Sequence, residues 1–139
     1  MAVHSRLLSQ AALVALVGDR VRPAMAAQKD DLRQGPYCVY SLVSETPLDH
    51  LTGYANLTEA LIQVDVFANY YSVAKAAAKE VKAAFRALRN TQIVSGAVTT
   101  DIRSATIVGV REAPEAAEDG SDEHVYRVSI DLGIFYREN

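Results

Sequence analysis

The chain has 139 residues, half of them apolar and 22% charged, with a net charge of −3. A chain of that length forms one domain, residues 1–139, burying about two thirds of its unfolded surface, and its ordinary globular balance argues against disorder. The near-neutral charge excludes wholesale attraction to nucleic acid, and the single cysteine excludes an intrachain disulfide or a thiolate-rich metal site.

The N-terminal residues lack the pattern of a signal peptide, and no apolar run approaches a membrane span. The sequence therefore predicts a protein made in reducing cytoplasm, without membrane contact. Ser5 is a suitable N-cap for a first helix reaching about Leu16 or Val17, with Gly18 placed to end it. Its Leu and Ala positions nearly encircle the axis, so both a sheet and a neighbouring subunit are expected to cover it. Asp19-Arg20-Val21-Arg22-Pro23 leaves the helix, and residues 24–35 read as an irregular polar connection.

A strand is predicted from Tyr37 to Ser44, with Cys38 as a buried structural thiol. Residues 45–54, which include Pro47 and Gly53, read as an extended hairpin loop. Residues 57–68 alternate: Ile62, Val64, Val66 and Ala68 share one face, and Leu61, Gln63, Asp65 and Phe67 the other. That second, mixed face suits partial exposure or contact with a partner.

The segment Ser72–Arg89, capped by Asn69 or Ser72, sorts its residues into two stripes. Val73, Ala77, Val81, Ala84 and Leu88 recur at spacings of 4, 4, 3 and 4, and Lys75, Lys79, Lys82, Arg86 and Arg89 at 4, 3, 4 and 3. At roughly 100° per residue the stripes oppose each other, which predicts an amphipathic helix with a cationic ridge. Such a ridge is either a solvated face or a surface for a polyanion or an acidic protein. Residues 90–100 form a connection with a brief strand at Ile93–Ser95. Further strands are predicted at Ala105–Arg111 and Val125–Tyr136. In the last, Tyr126, Val128, Ile130, Leu132, Ile134 and Tyr136 oppose Arg127, Ser129, Asp131 and Arg137. The predicted fold class is α+β: a mainly antiparallel four-stranded sheet with helices packed on one face, in the order αββαββ.

No reaction chemistry emerges. His4, His50 and His124 are isolated from one another, and the carboxylates beside His124 specify no metal geometry. Val94-Ser95-Gly96-Ala97 and Asp119-Gly120-Ser121-Asp122 read as turns, not as a nucleophile elbow. Glu59 and Asp65 share a strand face without defining a cleft. The expectation is no catalytic residue, no cofactor and no metal; a small hydrolase would need an acid–base pair that these residues do not supply. More distinctive is the run from 112 to 123, where Glu112, Glu115, Glu118, Asp119, Asp122 and Glu123 occur without an intervening Lys or Arg. With Pro114 and Gly120 it reads as a turn-rich excursion, either a solvated tip or an acidic docking tip. Its charge opposes that of the ridge, so the two surfaces suit contact between neighbouring copies.

Four phrases stand out in chain order: Leu13-Val14-Ala15-Leu16-Val17-Gly18-Asp19-Arg20-Val21-Arg22-Pro23, Gly35-Pro36-Tyr37-Cys38-Val39-Tyr40, Ile62-Gln63-Val64-Asp65-Val66-Phe67-Ala68 and the closing Tyr126-Arg127-Val128-Ser129-Ile130-Asp131-Leu132-Gly133-Ile134-Phe135-Tyr136. In this order they resemble the tail-terminator, or tail-completion, family of long-tailed bacteriophages and phage-like gene transfer particles. The resemblance implies a structural subunit that assembles as a ring, usually hexameric, at the end of the tail tube. Such a ring stops tube growth and offers a head-joining surface at the head–tail neck. It implies self, the tail tube protein and a head-side connector or completion protein as partners, with non-specific contact to passing double-stranded DNA, and it transfers no catalytic residue. The acidic run is not part of the resemblance. A head-side connector or other neck protein is the alternative. The interface candidates are Arg20, Arg22, Asp65, Phe67 and the acidic run, together with the basic ridge. The ridge is expected either at a subunit boundary facing the acidic run or in the DNA channel.

Overall fold

The computed structural model describes residues 6–7, 11–18, 20–23, 36–50, 53–86, 88–95, 98–116 and 124–138. The elements in chain order are α1 (Ala11–Val17), β1 (Val21–Pro23), β2 (Tyr37–His50), β3 (Gly53–Ala68), α2 (Tyr71–Arg86), β4 (Arg89–Ser95), β5 (Val98–Ala116) and β6 (His124–Glu138). All six described strands join one sheet in the order β1-β2-β3-β6-β5-β4. β1 pairs parallel with β2, and every other pair is antiparallel.

This corrects the expected four-stranded sheet and the order αββαββ: the sheet is six-stranded and mixed, it dominates the fold, and helices are few. The strand missed altogether is β1. Three residues carry no period-2 pattern, and Val21–Pro23 is strand only because Cys38–Tyr40 lies beside it. The Cys38 amide donates to the Arg20 carbonyl at 2.9 Å, fixing that parallel start. The expected helical layer is corrected too: α2 lies against β3, β5 and β6, whereas α1 makes its main contact with α2.

Ladders also extend into segments expected to be loop. β2 and β3 remain paired as far as His50 and Gly53, and β5 and β6 as far as Ala116 and His124. Glu112–Ala116 is therefore strand rather than turn-rich excursion. Residues 24–35, 117–123 and the proposed cap Ser5 lie outside the described residues.

The local signals that held have direct physical causes. Gly18 adopts a φ of 61°, and its amide donates to the Val14 carbonyl at 2.8 Å, closing α1. Only glycine reaches that left-handed position without a Cβ penalty, so α1 ends there. On β3, Ala60, Ile62, Val64, Val66 and Ala68 are buried, and on β6 so are Val128, Ile130, Leu132 and Ile134. α2 covers these strands with Ala74, Ala77, Ala78, Val81, Ala84 and Phe85. Its small side chains let the helix approach the pleated surface closely, and Phe85 is the largest side chain it buries. Leu7, Leu13 and Val17 extend the same core beneath the N-terminal helical residues.

Candidate interaction surfaces

α2 presents the cationic ridge as read from the sequence, with one change. Lys75, Lys79 and Arg86 are exposed and Lys82 is partly so, but the helix ends at Arg86. Arg89 instead opens β4 opposite Ser104. Leu88 continues the apolar spacing into the core, with its amide bonded to the Phe85 carbonyl at 3.2 Å. Helix propensity there is good; strand pairing with β5 overrides it.

The ridge begins in an intramolecular cluster. Register places Glu112 opposite Val128, on the sheet face that α2 covers. There Lys75 donates to Glu112 Oε1, and the Tyr71 hydroxyl donates to Oε2 at 3.1 Å. Lys75 also stands 5.9 Å from the centroid of the Tyr71 ring, which meets Tyr126 edge-on at 5.9 Å. The hydrogen bond from Lys75 holds the Glu112 carboxyl below its ordinary range, helped by Tyr71 and by the charges of Lys75 and Lys82. Reciprocally, the bond to Glu112 raises Lys75. Glu112 thus compensates a ridge cation of its own chain. The side chains of Glu115, Glu118, Asp119, Asp122 and Glu123 lie outside the described residues.

The opposite face of the sheet carries a polar network framed by aromatics. Asp65 accepts from Ser129 Oγ at 2.6 Å and from Gln63 Nε2 at 2.9 and 3.1 Å. Arg111 donates to Gln63 Oε1 at 3.3 Å and to Asp131 Oδ1 at 3.1 Å. Beside this network Phe67 stacks on Tyr37, its ladder partner, with centroids 5.0 Å apart. Arg22 belongs to the same face, in a row that register carries through Val39, Asp65 and Ser129 to Arg111. Gln63, Ser129, Arg111 and Asp131 were not candidates in the sequence, because only the register between distant strands brings them together.

Arg20 has a different occupation. Its Nε donates to the Pro36 carbonyl at 3.0 Å and one terminal nitrogen to the Leu16 carbonyl at 3.4 Å, tying the end of α1 to the start of β2. Cys38 is fully buried, and burial, with the nearby charge of Asp65, pushes its thiol up to about 12. Neither residue offers a reactive group. Among the described residues no three His, Cys, Asp or Glu side chains gather in a way that could hold a metal. No described helix is long and apolar enough to cross a membrane.

The family described as tail completion protein gp17 matches residues 1–137. The chain belongs to that family. Tail-completion proteins are structural components of the virion tail, which is where membership locates this chain. The fold is shared with a chain of a solved "Virion of native gene transfer agent (GTA) particle": TM-score 0.66, 23% identity, covering 99% of this chain and 92% of that one. No curated protein matches the chain.

Proposed function

We propose that this tail-completion protein is a tail terminator: copies close into a ring, six in number, on the end of the tail tube, stop its polymerisation and present the surface that joins the head. The observation that carries this reading is membership of the tail-completion family over residues 1–137, on a chain whose distinctive surfaces are charged and aromatic rather than catalytic. Closed cyclic symmetry repeats one heterologous contact until both of its faces are consumed, which is how a small subunit makes a cap of fixed size. The ring's other partners are then the tail tube protein on one side and a head-side connector on the other, with double-stranded DNA passing through non-specifically.

The interface candidates keep distinct parts in this reading. Phe67, Asp65 and Arg22 share the helix-free sheet face, and Lys79, Lys82 and Arg86 suit contact with an acidic protein surface. Depleting the protein during particle assembly tests the function. Tubes of irregular or excess length that fail to join heads are expected. Normal tube lengths and normal joining would sink it, and finding the protein on filled heads before tails attach would transfer it to the head side.

A further inference from the structure

Two strand edges at opposite ends of the sheet are open over matching stretches. β1 flanks β2 only at Cys38–Tyr40 and stops at Pro23. β4 flanks β5 from Val98 to Ser104. Among the described residues, the outer edge of β2 from Ser41 onward and that of β5 from Ala105 onward therefore have no strand partner. Each stretch is closed by a proline within the ladder, Pro47 and Pro114, where no amide can extend a sheet outward. Prolines thus bracket two windows that remain competent to pair.

Both windows carry exposed apolar side chains. Leu42 and Val43 on β2 are 45% and 54% exposed, and Val108 and Val110 on β5 are 64% and 40% exposed. Register shifts at Val43 and Val108 interrupt each window once. A long open edge with apolar residues invites another strand unless something covers it. Register further shows that the windows lie level with each other. One cross-sheet row runs through Ser41, Gln63, Asp131 and Gly109, and another through Ser44, Leu61, Gly133 and Thr106. Direction agrees too. Three antiparallel steps separate β2 from β5, so the strands run oppositely, and a copy rotated about an axis along the strands sets its β2 antiparallel to the first copy's β5. The two edges are different surfaces, as a head-to-tail ring requires.

We propose that β2 of one copy pairs edge to edge with β5 of the next, making the ring one continuous sheet with its helix-free face toward the lumen and α2 outside. This rests on the ring reading above. The helix-free face suits the lumen because, among the described residues, Ser129 and Gly133 are buried there with no helix over them, as on a concave surface. DNA would then meet the face bearing Arg111 and Asp131, while Lys79, Lys82 and Arg86 face neighbours outside the tube.

The test uses the full chain with Ser44→Cys and Thr106→Cys together, since Cys38 is buried and stays silent toward a bis-maleimide. Assembled rings should yield a cross-linked ladder ending at the ring's copy number, whereas either single variant should yield no ladder. Rings that form but give no ladder overturn the edge pairing and leave the terminator reading intact. A wild-type chain that stays monomeric even with tail tubes overturns both. Val43→Lys and Val108→Lys, each at an exposed position, should leave monomer stability unchanged and weaken ring formation by about tenfold or more. Loss of monomer stability instead would show that the chain's own residues cover the edge, and would overturn the proposal. Finally, Lys82→Cys should react with a bulky maleimide equally fast in ring and monomer; protection in the ring overturns the outward placement of α2.

Discussion

Lys75 and Glu112 are separated by 37 positions and meet in a charge-assisted hydrogen bond between α2 and β5. The contact joins the first cation of the basic ridge to the first anion of the acidic run inside a single chain. It fixes the N-terminal end of α2 over the β5–β6 hairpin and leaves Lys79, Lys82 and Arg86 as the outward charge of the helix.

The Lys75–Glu112 pair has a defined pH window. Glu112 is lowered, so its contribution is present above the ordinary carboxylate value of 4.5 and is lost as pH falls through the lowered value. Lys75 is raised, so its contribution is present below 10.5 and is lost as pH rises through the raised value. Glu112→Gln should return the Lys75 ammonium toward its ordinary titration, followed by NMR of the side-chain nitrogen. An unchanged Lys75 titration would show that the pair does not form in solution.

Replacing Arg20 by Ala should destabilise the folded monomer. Two backbone carbonyls, Pro36 and Leu16, lose a charged donor, which costs about 1.5–3 kcal/mol for hydrogen bonds of this kind. Urea titration of the monomer measures the loss. A stable monomer with defective assembly would show that Arg20 acts at an interface instead.

Phe67→Glu separates face from core. Phe67 is half-buried and stacks on Tyr37, so removing the ring forfeits about 0.5–1.5 kcal/mol of aromatic pairing while the buried face of β3 stays intact. With the helix-free face in the lumen, ring and monomer should both survive the change, compared by native mass spectrometry and thermal melting, and loss of the ring with the monomer intact would place this face at a subunit contact. Loss of soluble monomer would instead place Phe67 in the core.

Phe85→Ala should be among the costliest single changes, at about 3–5 kcal/mol, because Phe85 is only 1% exposed and is the largest side chain that α2 buries. A cost below that of an ordinary surface substitution would contradict the packing of α2 on the sheet.

Cys38 predicts an alkaline limit. Its thiol is raised to about 12 in the fold, so stability is intact below 9, the thiol's ordinary value, and declines as pH rises toward 12. The slope approaches about 1.4 kcal/mol per pH unit, and Cys38→Ala should remove that component from the stability–pH curve. Thiol reagents should not modify the native protein at neutral pH.

Features that repeat, or that need one residue type, are legible in the chain alone. Period-2 alternation marked the buried faces of β3 and β6, and the 3.6-residue stripe marked α2 and its cations. Gly18 marked the end of α1 because a left-handed residue was needed there. The family was legible as well, through phrases spread from Leu13 to Tyr136. Tertiary structure decided what depends on neighbours distant in the chain. β1 exists only beside β2, Arg89 left the helix for a place opposite Ser104, and the four-stranded expectation became six. The same holds for the surfaces: Asp65 was visible as a polar position, but its partner Ser129 lies 64 residues away and only register supplies it. A periodic pattern is a property of adjacent residues and survives in the sequence. Strand order, register and cross-sheet partnership are set by which backbone hydrogen bonds and side chains meet in the folded chain, and no local pattern encodes them.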